Sequence, residues 1–203
     1  MAIADQILPP NALFGLHPES PGPVTAIEFE EWPLAPERPL ELIAGWVVPM
    51  SPGDFFTGES AADLAAALRP LVRDRGWRMS LDARHRLPWP ADTVVFPDLA
   101  IHCTATPEFV PGTRTVSRVP DLVIELLSRE TSERDMAPHG AKFLAYQQCG
   151  VGEYYYAWPD GSGAAGFRRE GESLVPMKGD AGGFFESVLL GARLRLAPAA
   201  VRR

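Results

Sequence analysis

The sequence predicts one domain of mixed α/β fold (α+β), and three observations predict it. Short apolar runs rich in Val, Ile and Leu recur around residues 40–50, 94–101, 122–127 and 153–158. Helical periodicity is confined to 60–74 and to a short stretch near 138–149. No internal repeat and no clear linker divides the chain.

With 203 residues, the chain is long enough for one substantial core. Its 46% hydrophobic and 22% charged residues are ordinary for a soluble globular protein. No apolar run is long enough to span a membrane, and the N-terminus lacks a basic stretch followed by an apolar core. Cys103 and Cys149 stand at unrelated spacing, which argues against a disulfide framework or a cysteine zinc site and fits a reducing cytoplasm. The net charge of −7 argues against a broad basic face that coats nucleic acid. Arginines nevertheless cluster at Arg69, Arg73, Arg75, Arg78, Arg84 and Arg86, and again towards Arg203. Solvated surface is the plain reading of both clusters, and a local basic patch beside an acidic site stays open.

Residues 1–38 read as a proline-rich arm and lead-in, and 39–203 as one domain. Residues 40–50 form a strand pair or a bent strand, broken at Ala44-Gly45 by a turn and followed by a loop at 51–54. In 60–74, Leu64, Ala67, Leu68, Leu71 and Val72 share one helical face, Pro70 kinks or bounds it, and Gly76 stops it. Residues 77–87 read as one strand, 94–101 as a second carrying Asp98, and 104–120 as a polar connection. The run 122–127 is a strand buried on both faces. A polar loop to 138, a helix closed by Gly150, a strand at 153–158, a hairpin around 170–172 and a strand or strand–turn–strand at 184–196 complete the chain.

Two carboxylates stand out, Glu125 inside the apolar run 122–127 and Asp98 in the run 94–101. A buried carboxylate needs a cation, a proton or donors. If the two strands are adjacent, Asp98 and Glu125 could hold a hard divalent cation, magnesium or manganese, which takes oxygen ligands. Lys142 and Lys178 are the only lysines of the chain. Lys142 lies on the helix after the Glu125 strand, where a deprotonable amine could orient or activate a water, which arginine cannot do. Plainer alternatives remain: Asp98 capping backbone donors at a bulge after Pro97, Glu125 in a structural ion pair with a buried arginine, Lys142 on a helix surface. His85, His102 and His139 are isolated, at no metal-ligand spacing, and Gly161-Ser162-Gly163 reads as a hairpin turn rather than a phosphate cradle.

Four segments, in order, resemble the Uma2 family of putative restriction endonucleases, a branch of the PD-(D/E)xK nucleases. They are Glu41-Leu42-Ile43-Ala44-Gly45-Trp46-Val47-Val48-Pro49-Met50-Ser51-Pro52, then Val95-Phe96-Pro97-Asp98-Leu99-Ala100, then Val119-Pro120-Asp121-Leu122-Val123-Ile124-Glu125-Leu126-Leu127-Ser128, and finally Lys142, Tyr146, Gly150-Val151 and Glu153-Tyr154-Tyr155. The resemblance covers about residues 40–196 and implies a restriction-endonuclease-like core, a central mixed β-sheet flanked by helices. It implies Asp98 and Glu125 as metal ligands, Glu41 as an acid near the metal or its water, and a catalytic lysine. Leu127 occupies the usual position of that lysine, which points to Lys142 on the following helix. Ala44 and Trp46 stand where family members often carry acids, no histidine leads into the first long helix, and Arg129-Glu130-Thr131 replaces a Pro-Ser-Thr loop.

The expected function is therefore a Mg2+- or Mn2+-dependent endonuclease on DNA, working as a homodimer because each chain carries one site for two strands. The alternative is a catalytically degenerate nuclease-fold module that binds DNA or a protein partner. Site geometry separates them: well-separated carboxylates or a solvent-facing Lys142 would favour the module.

Overall fold

A computed structural model describes residues 18–32, 39–50, 55–88, 92–129, 132–136 and 140–196. The fold is mixed α+β. Helix α1 (Ala26–Glu30) opens on a reciprocal capping box, in which the Thr25 side chain accepts the Glu28 N–H and Glu28 returns to the Thr25 N–H. Phe29 of α1 is fully buried against Leu42, Val47 and Val94. Residues 19–24 also tie into the first hairpin, through Glu19 N–H to Val47 O and Val24 N–H to Gly45 O.

That hairpin joins β1 (Leu40–Ile43) to β2 (Trp46–Pro49) through Ala44-Gly45, as its sequence predicts. Both turn residues are left-handed, with φ of 52° and 82°, which suits a two-residue turn. Ala44 is an unusual choice there; its N–H donates to Thr93 Oγ1. Helix α2 (Phe55–Asp74) begins five residues earlier than its apolar face suggests, and it runs through the exposed Pro70. Its buried apolar residues, among the described ones, are Leu64, Ala65, Leu68 and Val72, whereas Ala67 faces solvent.

Two expected strands divide. Residues 77–87 split into β3 (Arg78–Leu81) and β4 (His85–Leu87), and 94–101 into β5 (Thr93–Val95) and β6 (Leu99–His102). The first break falls at Asp82, which leaves the ladder at φ 46°. The second falls at Phe96-Pro97-Asp98, where proline has no N–H to give a ladder. Alternation alone does not report such a change of sheet. β2-β1-β5-β4 thus form one antiparallel sheet.

The larger sheet has the order β10-β9-β8-β7-β6-β3, with β7 (Leu122–Leu126), β8 (Glu153–Ala157), β9 (Ala164–Glu170) and β10 (Ser173–Met177). Only the β7–β8 pair is parallel, so the chain must cross over between them. The crossover contains α3 (Ser132–Asp135), within a stretch whose sequence reads as loop, and α4 (Ala141–Cys149). Gly150 ends α4 at φ 91°, the expected glycine cap. On one face, Val123 and Tyr154 pack with Phe143 and Tyr146 of α4 and with Ile43, Val48 and Val95 of the smaller sheet. On the other, Ile124 and Leu99 pack under α2 and the closing hairpin of β11 (Phe184–Ser187) and β12 (Ala192–Arg195). No helix among the described residues is long and apolar enough to cross a membrane.

Candidate active site

β6 and β7 are antiparallel neighbours, with Leu99 opposite Ile124. Asp98 and Glu125 are the next residues past that pair on their two chains. The break at Pro97 puts Asp98 at the mouth of the sheet, part-exposed, rather than inside a strand. Its Oδ2 accepts the Leu126 N–H at 2.6 Å, so the carboxylate is fixed to the strand that carries Glu125. Glu125 itself is 2% exposed and lies on the Val123 face, towards α4.

Lys142 meets it there. The ammonium lies 2.8 Å from Glu125 Oε1 and 3.1 Å from Glu41 Oε1, and it is buried. Tyr146, one helical turn further on, donates its O–H to the same Glu125 oxygen at 2.8 Å. Glu41 arrives from β1 and is wholly buried. Its Oε1 also accepts the Phe96 N–H at 2.8 Å, and its Oε2 pairs with Arg134 Nη1 at 3.1 Å. Arg134 in turn bonds Asp135 Oδ1 and the Pro49 carbonyl, while Tyr154 donates to the Asp135 carbonyl. Two sheets and the crossover therefore converge on one buried polar network.

Its charge states follow from burial and crowding. Burial raises the Asp98 pKa to about 6; Lys142 and the Leu126 N–H counteract this, and Asp135 and Asp82 add to it. Burial pushes Glu125 well above the usual carboxylate range; Lys142 opposes the shift, and Asp135, Asp98 and Glu41 reinforce it. For Lys142, burial alone would favour the neutral amine, but Glu125, Glu41 and Asp135 outweigh it and the net shift is upward. Arg134 is likewise held cationic, its burial overcome by Asp135 and Glu41. Burial and the neighbouring Glu125 keep Tyr146 a phenol, so it can only donate to that carboxylate.

A sequence model described as "Uma2: Putative restriction endonuclease" matches residues 26–196. The chain belongs to the Uma2 family. A solved structure described as a putative nuclease belonging to DUF820, from Anabaena variabilis, has the same fold at a TM-score of 0.69 and 17% identity, over 86% of this chain and 96% of that one. No curated protein matches.

Within the Uma2 match, all four residues singled out by sequence come to one place, with Glu41, Glu125 and Lys142 in direct contact. Lys142 contacts two carboxylates within 3.1 Å, and their charge raises its pKa and favours the ammonium. Arg134 and Asp135 were hidden in a polar stretch, and only the rarity of buried pairs distinguishes them from surface charges. His85 and His102 are not isolated: the rings stack, with Nε2 atoms 3.0 Å apart. His85 Nδ1 lies 2.7 Å from the Ala83 carbonyl and so carries the proton, which makes its Nε2 the acceptor of the His102 N–H. His139 and residues 51–54 lie outside the described residues.

Proposed function

We propose that this chain hydrolyses DNA phosphodiester bonds with a magnesium or manganese ion held by Asp98 and Glu125. The observation that carries the proposal is the surplus of acid at the mouth of the sheet. Four carboxylates, Glu41, Asp98, Glu125 and Asp135, act on one another there against the two cations Lys142 and Arg134. A divalent cation would balance that surplus, and it would oppose the rise of Asp98 to about 6 that burial causes and that Lys142 and the Leu126 N–H only partly offset. Among the described residues, no three His, Cys, Asp or Glu side chains gather as an all-protein metal cage. Magnesium commonly takes only one or two carboxylates and keeps its waters for the substrate side, so the pair fits.

Bound there, the cation supplies Lewis acidity towards a phosphate oxygen and acidifies a water. The chain does the rest. Lys142 and Tyr146 both engage Glu125 Oε1, which orients the carboxylate. Lys142 remains an ammonium, an N–H donor and a positive charge near the anionic reacting centre rather than a base. Glu41, clamped by Phe96 N–H, Lys142 and Arg134, positions that lysine. One site per chain implies that two copies cut a duplex.

The burial of Lys142 against Glu125 favours this reading over a degenerate binding module, for which a dismantled constellation was the expected sign. The test is incubation of purified protein with supercoiled and linear DNA, with manganese or magnesium and with chelator. Cleavage that needs the ion is expected. A folded protein that leaves all DNA intact with either ion would reject the proposal.

A further inference from the structure

We propose that Asp82 is the outer acidic residue of the cation site, a positioning residue that meets the ion through its water shell. The inference rests on the reading of Asp98 and Glu125 as the cation's ligands, and it adds a residue from a third strand.

Strand order places β3, β6 and β7 side by side. Leu81 pairs with Leu99, and Leu99 with Ile124. Just past the last of these pairs lie Asp82, Asp98 and Glu125, three acids at the same end of three adjacent strands. Asp82 is where β3 stops and the chain departs for the other sheet, at φ 46°. Aspartate tolerates that conformation better than most residues, but glycine or asparagine would serve a turn without adding a charge. Turn chemistry does not account for the carboxylate. Among the described residues Asp82 makes no hydrogen bond or ion pair, although its field reaches both Lys142 and Asp98. It is also exposed, unlike Glu125 and Glu41, so it occupies the solvent side of the row, where a cation bound by two carboxylates keeps its waters. Acids that bond the waters and ligands around a metal commonly govern its affinity without touching it.

The experiment is calorimetric titration of manganese into the metal-free chain and into Asp82→Asn, Asp82→Gly and Asp74→Asn. Both Asp82 substitutions suit a left-handed residue, so the turn survives, and thermal unfolding in chelator verifies that. Asp74, an exposed acid at the end of α2, controls for the loss of one negative charge anywhere on the surface. Manganese affinity is expected to fall about 10-fold in both Asp82 variants, with metal-free stability kept or raised, and to stay within about twofold in Asp74→Asn. Equal affinity of wild type and Asp82→Asn would overturn the role of Asp82 while leaving Asp98 and Glu125 as ligands. An equal loss in Asp74→Asn would overturn it as well, by reducing the effect to net charge. Wild type that binds no manganese would remove the reading on which the inference stands, and the inference with it.

Discussion

Replacing Lys142 by methionine isolates the electrostatic core of the site. The ammonium bridges Glu125 and Glu41 at 2.8 and 3.1 Å with almost no solvent access. Glu41 keeps Arg134 and the Phe96 N–H when the lysine is gone, so Glu125 is the carboxylate left without a counter-charge. It escapes by taking a proton. The cost of doing so is bounded by the distance of the ambient pH from its unfolded value of 4.5, up to about 3 kcal/mol near pH ~7 at about 1.4 kcal/mol per pH unit, less the share of that proton that burial already gives the wild-type carboxyl. The sign follows from proton counting. The folded variant holds a proton that its unfolded chain has released, so its stability falls as pH rises. The penalty should therefore shrink to at most about 1.4 kcal/mol near pH ~5.5 and approach zero near pH ~4.5. Urea denaturation of wild type and Lys142→Met in chelator, at several pH values, measures it directly. No penalty at any pH, or one that grows as pH falls, would refute the assignment of Lys142 as the partner of a buried carboxylate.

Other substitutions test the frame around the site. Burial lowers the His85 pKa from 6.5 to about 4, so a neutral His85 is required in the fold. Stability is fully present above pH ~6.5 and should drop by up to about 3 kcal/mol as pH falls towards ~4, a slope that His85→Gln should flatten in chemical denaturation. Glu153 accepts from Tyr155, Ser187 and the N–H groups of Val188 and Leu189, and so pins the closing hairpin to β8. Glu153→Ala leaves those donors unmet and should cost about 3 kcal/mol in urea denaturation, with DNA cleavage retained by the folded fraction. A Cβ at Gly140 would collide with the carbonyl oxygens of Arg134 and Met136. Gly140→Ala should then destabilise by about 1–3 kcal/mol and, by displacing the start of α4 and Lys142, weaken manganese binding in calorimetry.

Much of this arrangement was legible because charges stand out against apolar strands. Glu125 interrupts an aliphatic run, and Lys142 is conspicuous among arginines, so both could be singled out before any geometry was known. The hairpin at Ala44-Gly45 and the Gly150 cap were likewise written in turn chemistry. The breaks at Asp82 and Asp98 were not. A strand that changes sheet keeps its β-forming composition, and only tertiary pairing shows that 78–81 and 85–87 have different neighbours. That hidden break is also what brings His85 beside His102 and Asp82 beside Asp98. Arg134 and Asp135 escaped notice for a related reason, since a buried ion pair in a polar stretch looks like surface until its partners Glu41 and Pro49 arrive from another sheet.

DNA cleavage by Glu125→Gln tests the central claim most directly. Glutamine keeps the shape and an acceptor for Tyr146 but removes the charge that would hold the cation. Supercoiled plasmid incubated with manganese should be cut by wild type and left intact by a Glu125→Gln protein of matched fold. Cleavage surviving the substitution at the wild-type rate would contradict the assignment of this acid, and with it the site.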